Sequence, residues 1–300
     1  MPPVVSVIGD ALLDVHVTPV STVRPEADIP AEVRLEPGGQ GANLAVRLAR
    51  RGVSVRLTCA LGDDLAGAML RSALAADGVE VRPIAAEATG SVVVLVAATG
   101  ERTMLSQRVP LVAHLASELS SDAGWLVLSG YLLLEGGAAP LDRSATSPTR
   151  VAVAGCALTA AEARRWLASV RAVAPSLVVL NAAEASMLTG GADAAALALR
   201  LEEELAAVVI VTERGGASGA TRGQVVRAEA PPAGPATDST GAGDAVAAAI
   251  VADLLEEPWP PSVRELERAM LGAVRLGSAV SHAPGAQARV PGEGSARLPA

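Results

Sequence analysis

The sequence contains no lysine: all 24 of its Lys+Arg side chains are arginine. That excludes a Schiff-base lysine and the phosphate-gripping lysine of a Walker-type loop. Phosphate charge would have to be met by backbone N–H groups, arginine or a metal ion. Phenylalanine is also absent, and Tyr131, Trp125, Trp166 and Trp259 are the only aromatic residues. So few rings make a clamp around bases hard to build, which disfavours nucleic acid and, more weakly, a nucleoside substrate. Cys59 and Cys156 stand alone in apolar surroundings and fit buried thiols rather than a disulfide frame or a metal site. Mean hydropathy is +0.39, yet runs such as Ser91–Thr99 and Ala245–Leu255 are too short to span a bilayer. Met1-Pro2-Pro3-Val4 lacks the basic stretch of a signal peptide, so a cytoplasmic location is expected. The net charge of −8 leaves no basic footprint for nucleic acid or a membrane surface.

What is present is a large apolar fraction, 50% of 300 residues, arranged in alternating strand-like and helix-like segments. Strands are expected at Val4–Ile8, Val53–Cys59, Trp125–Ser129, Val151–Ala154, Leu177–Leu180 and Ala207–Val211. Helices are expected at Ala42–Arg51, Leu65–Ala76, Thr159–Val173, Ala182–Leu188, Ala194–Leu205, 241–256 and Ser262–Ser281. Segment 218–229 reads as a hairpin. Such a succession implies one α/β domain over residues 1–300, with a mostly parallel sheet covered by helices on both faces. Segments of about 12–36 and 90–109 do not fit that sheet. They alternate as if each strand had one wet face, and Thr99-Gly100-Glu101-Arg102 is a hairpin signal. They are expected to form a small separate sheet, placed to act as a lid, whose edges are candidates for pairing in a homodimer. The tail Gly292–Ala300 is expected to be loose.

The most informative stretch is Asp238-Ser239-Thr240-Gly241-Ala242-Gly243-Asp244, followed by the apolar run Ala245–Leu255. A glycine turn opening a helix offers free N–H groups and the positive end of the helix dipole, which is an anion site. Asp244 in the first turn would repel a bound phosphate. It makes sense as a base that takes a proton from a hydroxyl attacking the phosphoryl group. The plainer alternative is a capping acid, typically contributing ~0.5–2 kcal/mol.

These pieces, in order, resemble the PfkB (ribokinase-like) family of sugar and nucleoside kinases over about residues 4–291. The motifs are Gly9-Asp10…Asp14, Gly38-Gly39-Gln40-Gly41-Ala42-Asn43, Leu61-Gly62-Asp63-Asp64…Gly67, Asn181-Ala182-Ala183-Glu184, the 238–244 turn and Gly285-Ala286. The resemblance implies a ribokinase-like three-layer α/β/α sandwich with a β-sheet lid. It also implies in-line transfer from ATP to a hydroxyl, with Asp244 as catalytic base and the N–H groups of Gly241, Ala242 and Gly243 as anion hole. Gly39, Gln40, Gly41 and Asn43, with Asp14 at the end of the first strand, match the substrate contacts. Arg102, on the lid turn, and Glu135 are further substrate-facing candidates. Asn181 and Glu184 match the family's Asn-x-x-Glu beside Mg²⁺ and its waters. Thr212, Gly215, Gly216 and Gly219 fall in the region of the nucleotide loop. Asp238 and Thr240 match positions associated with a monovalent cation, so K⁺ is a candidate cofactor. Asp63 and Asp64 read first as an N-cap. His16, His114 and His282 have no ligand spacing.

Three departures concern the substrate. Gln40 stands where ribokinases often carry lysine. Thr212-Glu213-Arg214-Gly215-Gly216 does not keep the usual Thr-x-Gly spacing. Val151–Gly155 lacks the aspartate that many relatives carry at that strand end. The expected activity is phosphorylation of a small free sugar by ATP. A phosphorylated sugar would need cations from Arg34, Arg102 and Arg108. A nucleoside kinase and a catalytically idle sugar or nucleotide sensor are the alternatives. A dinucleotide enzyme is discounted because Gly38–Gly41 lacks the Gly-x-Gly-x-x-Gly spacing.

Overall fold

The structure is a computed structural model and describes residues 4–97, 102–111, 123–134, 150–232, 234, 236, 238–291 and 293. Its strands β1 (Val4–Ile8), β4 (Ser54–Leu61), β5 (Glu80–Ala85), β8 (Ala123–Leu128), β9 (Arg150–Ala154), β10 (Leu177–Asn181) and β11 (Val208–Glu213) pair in parallel. The antiparallel strands β12 (Gly216–Thr221) and β13 (Gln224–Glu229) extend that sheet to nine strands, in the order β13-β12-β11-β10-β9-β8-β1-β4-β5. The inner strands are apolar nearly throughout because both of their faces are covered. Val5, Val7, Val127 and Ile210 bury into one layer with α1 (Gln40–Arg50), α2 (Leu65–Ala76), α7 (Ala242–Asp253) and α8 (Val263–Ser281). Ile8, Leu126, Leu128 and Val209 bury into the other with α3 (Gly130–Leu134), α4 (Ala160–Val173), α5 (Ala182–Thr189) and α6 (Ala194–Leu205). This is the three-layer α/β/α sandwich expected. The hairpin expected at 218–229 is β12–β13, begun two residues earlier.

The ends of the elements follow local chemistry. Asp64 caps α2, with its Oδ1 accepting from the Gly67 N–H at 2.7 Å and its Oδ2 from the Thr89 N–H at 2.8 Å. Helix α7 is Ala/Val/Ile nearly all round, and residues 245–252 are all buried, as suits a helix enclosed in a core. Strand β5 and the short α3 were not apparent in the sequence. Strand β5 is a half-exposed edge interrupted by Pro83, and α3 is only five residues long.

The lid is a second sheet of four strands, ordered β3 (Ala31–Gly38), β2 (Leu12–Pro19), β6 (Ser91–Val96), β7 (Arg102–Gln107). The alternation expected of β2 is present, with the polar face turned inward. The polar residues of β2, Asp14 and His16, form its buried face, whereas Leu13, Val15 and Val17 point outward. Strand register places Val15 and Val17 beside Leu35 and Val33 on one side and Val93 and Leu95 on the other. The tail also departs from expectation at one point. Glu293 is buried and ion-paired with the fully buried Arg47. The rest of 292–300 lies outside the described residues.

Candidate active site

The carboxyl ends of the parallel strands bring the candidate residues together, at the edge where α/β sheets hold ligands. Asp10 follows β1, Ser129 follows β8, Gly155 follows β9, and Asn181 closes β10. Facing them is the amino end of α1. Gly39, its N-cap, has φ +90°, and a Cβ there would press on the Asp10 carbonyl and the Leu12 N–H. Gly41 lies against the backbone of Gly9 and Asp10, so a side chain would push α1 off the end of β1.

Asp244 stands in the first turn of α7, half-buried. Its Oδ2 accepts from Asn43 Nδ2 at 2.9 Å, and its Oδ1 from Gln40 Nε2 at 3.3 Å. Burial raises its pKa to about 6, opposed by those two N–H donors; the charge of Asp10 adds to the rise and Arg47 opposes it. Gly241, the N-cap of α7 at φ +74°, offers no side chain, so the first-turn N–H groups are not capped from within. A Cβ on Gly241 would strike Ala286, whereas one on Gly243 would meet open space. The exposed Gly243 backbone therefore leaves room for an oxyanion at the helix end. Ala242, half-buried, donates its N–H to the Ser239 carbonyl at 3.3 Å.

Gln40 is fully engaged. Its Oε1 accepts from Ser129 Oγ and the Gly130 N–H, each at 2.8 Å, and its Nε2 donates to the Gly155 carbonyl at 2.7 Å. The Gln40 amide thus ties two strand ends, those of β8 and β9, to Asp244. Asn43 is 5% exposed, and its Oδ1 accepts from Gln287 Nε2 at 3.0 Å. Asp10 accepts from Ser129 Oγ at 3.2 Å, from the Gly41 N–H at 3.3 Å and from Arg108, whose guanidinium lies 3.6 Å over the Tyr131 ring. Sequence reasoning did not single out Ser129 or Gln287 as site residues, placed Asp10 in a motif without a stated role, and considered Arg108 only as a cation for a phosphorylated sugar.

Asp14 lies in the lid, three residues into β2, rather than at the end of the first strand. It is 6% exposed, and its Oδ1 has no hydrogen-bond partner among the described residues. Burial, Asp10 and Glu36 together raise its pKa to about 7. Glu184 and Asn181 form a capping box at the start of α5. The Asn181 N–H donates to Glu184 Oε2, and the Glu184 N–H to Asn181 Oδ1, both at 2.9 Å. Burial, with a further contribution from Asp244, raises Glu184 to about 7. A hard divalent cation fits this carboxylate, since it would offset the charge of Asp244. Among the described residues no group of three or more His, Cys, Asp or Glu gathers into a metal cage.

Other candidates sit elsewhere. Arg102 is the first residue of β7, not part of a turn, and its Nη1 donates to Asp238 Oδ1 at 2.8 Å and Thr240 Oγ1 at 2.5 Å. With a guanidinium on both, Asp238 and Thr240 do not fit a K⁺ ion in this arrangement. Thr212 closes the apolar part of β11 and donates to the Leu180 carbonyl at 3.3 Å. Gly215 forms the β11–β12 turn at φ +88°, and Gly216 begins β12. Gly219 lies inside β12, where a Cβ would strike Met270 and Leu266 of α8, so helix packing accounts for it. Glu135 and His114 lie outside the described residues. Cys59 and Cys156 are free and buried, and burial pushes the Cys59 thiol up to about 12. Among the described residues no helix is long and apolar enough to cross a membrane.

Comparison with known proteins bears on the family and the fold. The family model for pfkB family carbohydrate kinases matches residues 3–292. A fructokinase from Klebsiella pneumoniae is 30% identical over 278 residues, covering 85% of this chain and 89% of its own. Ribokinase from Giardia lamblia superposes with a TM-score of 0.77 at 18% identity, over 97% of both chains. Arabidopsis thaliana ribokinase, complexed with ribose and ATP, gives 0.75 at 21% identity, over 98% of this chain and 97% of its own.

Proposed function

Since the chain belongs to the pfkB family of carbohydrate kinases, we propose that it transfers the γ-phosphoryl group of ATP to a hydroxyl of a small free sugar. The observation that carries this reading is Asp244, held by two amides at the uncapped amino end of α7. With a pKa of about 6, Asp244 is ionised at neutral pH and basic enough to take a proton. The acceptor hydroxyl attacks the γ-phosphorus as its proton passes to Asp244 Oδ, and the bond to the ADP oxygen breaks. N–H groups of Gly241 and Gly243, joined by that of Ala242 once it gives up its long 3.3 Å bond to the Ser239 carbonyl, meet the charge on the transferred group, where one such donor is typically worth ~2.7–4 kcal/mol. Mg²⁺, bound with the phosphates near Glu184 and Asn181, would neutralise phosphate charge. The unpartnered Asp14 Oδ1 supplies a buried acceptor for a sugar hydroxyl.

The acceptor is read as unphosphorylated. Arg34 is paired with Glu32 and Glu36, Arg102 with Asp238, and Arg108 with Asp10. None of the three cations that could greet a second phosphate is spare. Nor do the rings gather into a base clamp. Trp125 and Trp259 meet edge to face in the core at 5.2 Å, Trp166 is fully buried, and Tyr131 lies under Arg108. ADP release with Mg-ATP, measured over free sugars, sugar phosphates and nucleosides, tests the reading. Turnover confined to free sugars supports it. Turnover on a phosphorylated sugar or nucleoside alone overturns the acceptor assignment.

The lid is read as a dimer surface. Its outward face carries Val15, Val17, Val33, Leu35, Val93 and Leu105, and Val33, Leu35 and Leu105 are more than half exposed.

A further inference from the structure

The two amides that hold Asp244 are not equally self-sufficient. Gln40 has its orientation dictated by backbone groups that can act in one sense only. The Gly130 N–H donates to its Oε1, and the Gly155 carbonyl accepts from its Nε2. Asn43 has no backbone partner of that kind for its side chain. Its NH₂ faces Asp244 because an ionised carboxylate only accepts, and its Oδ1, turned the other way, is anchored by Gln287 Nε2, which donates to it at 3.0 Å. Asn43 also makes the shorter contact to the carboxylate, 2.9 Å against 3.3 Å.

Gln287 is in turn held by main-chain contacts rather than by the site. Its carbonyl accepts from Arg50 Nη1 at 2.8 Å. The flanking carbonyls of Ala286 and Ala288 accept from Arg47 at 2.7 and 3.0 Å. Arg47 is fully buried and paired with Glu293, and Arg50 also pairs with Asp77. Two arginines one turn apart on α1 thus clamp the chain at 286–288. The same loop walls Gly241 through Ala286.

We propose that Gln287 is a positioning residue for the phosphoryl-transfer step, acting through Asn43. Its N–H anchors the far end of the Asn43 amide so that the NH₂ stays against Asp244 Oδ2 and the base is held in one rotamer. This rests on the reading of Asp244 as the base, and extends it to a residue that touches neither substrate nor Asp244. Without the Gln287 donor, the Asn43 side chain loses the anchor on its Oδ1 and is free to swing away, so that Asp244 loses its closer N–H.

The test uses the full chain and reads Asp244 in two independent ways. Carboxyl ¹³C NMR follows its titration in the wild type, in Gln287→Leu and in the isosteric Gln287→Glu. Circular dichroism confirms that each variant is folded. In Gln287→Leu the midpoint should rise by about one pH unit, as expected for loss of one hydrogen bond to the charged form. In Gln287→Glu it should rise further, because the new carboxylate draws the Asn43 NH₂ away. The rate measurement is kcat against pH with the best acceptor. In Gln287→Leu, kcat should fall roughly fivefold at pH 6, stay near wild type at pH 8, and leave the KM for ATP unchanged. An unmoved titration in both folded variants overturns the inference and leaves the base assignment standing. A shifted titration with an unshifted rate profile upholds the relay and overturns Asp244 as the base. An equal loss of kcat at every pH, with the titration unmoved, marks Gln287 as merely structural and also overturns the inference.

Discussion

Arg102, the first residue of the lid strand β7, donates from Nη1 to Asp238 Oδ1 at 2.8 Å, across 136 residues of chain. The same Asp238 accepts from the Thr240 N–H at 2.9 Å and the Gly285 N–H at 3.1 Å, so it clasps the turn that leads into α7. A cation of the smaller sheet is therefore fastened to the turn proposed as the anion hole. Exchanging K⁺ for Na⁺ should leave wild-type turnover unchanged, because the guanidinium already occupies Asp238 and Thr240. Arg102→Ala removes a charge-assisted bond of about 1.5 kcal/mol and should lower kcat/KM roughly tenfold. Marked stimulation of the wild type by K⁺ would contradict this arrangement.

The three raised carboxyls give stability an unusual slope with pH. Asp14 and Glu184 lie near 7 and Asp244 near 6, each above its ordinary carboxylate value. A folded pKa above the unfolded one contributes stability that is complete below about pH 4 and is lost as pH rises through 6–7. For these groups alone, Tm should fall between pH 5 and pH 8. Asp14→Asn removes the largest rise and should stabilise the protein at pH 8 by on the order of 3–4 kcal/mol. Thermal denaturation at the two pH values checks both statements, and a less stable Asp14→Asn at pH 8 contradicts them.

The Arg47 and Glu293 pair is buried at both ends, at 0% and 5% exposure. Arg47→Met would leave the Glu293 carboxylate with the longer Arg50 contact at 3.5 Å as its remaining ion pair, and the Ala286 and Ala288 carbonyls without the Arg47 donor. Breaking one side of such a pair costs about 3–5 kcal/mol. Urea denaturation should show a loss of that size, and a loss under about 1 kcal/mol would mean that solvent reaches the site.

The outward aliphatic face of the lid predicts self-association. Sedimentation should find the wild type as a dimer and Leu35→Asp as a monomer, since the substitution places charge in the middle of the apolar surface. A wild type that stays monomeric at all concentrations removes the lid from this role.

Much of the site was legible because its parts are local. Gly241 to Asp244 form one turn, and Asn181 with Glu184 form one capping box, so spacing alone places their groups together. The sandwich was legible from apolar strands covered on both faces. What was hidden depends on chain segments far apart in sequence. Gln287 meets Asn43 across 244 residues, and Gln40 meets Gly155 across 115. Alternation in β2 was visible, but not which face turns inward. Buried Asp14 and His16 defy the usual pattern of apolar residues inward, and His16 meets Glu36 at 3.8 Å. Gly219 looked like part of a nucleotide loop, yet the side chains of Met270 and Leu266 account for it.

The central claim is that Asp244 takes the proton of the attacking hydroxyl. The most direct measurement compares ADP formation by the wild type and Asp244→Asn with Mg-ATP and the best sugar acceptor, alongside calorimetric binding of that sugar. The substitution keeps the shape and removes the base, so turnover should fall by about 10²–10⁴-fold while sugar affinity stays near wild type. Turnover that survives Asp244→Asn nearly intact would contradict the account.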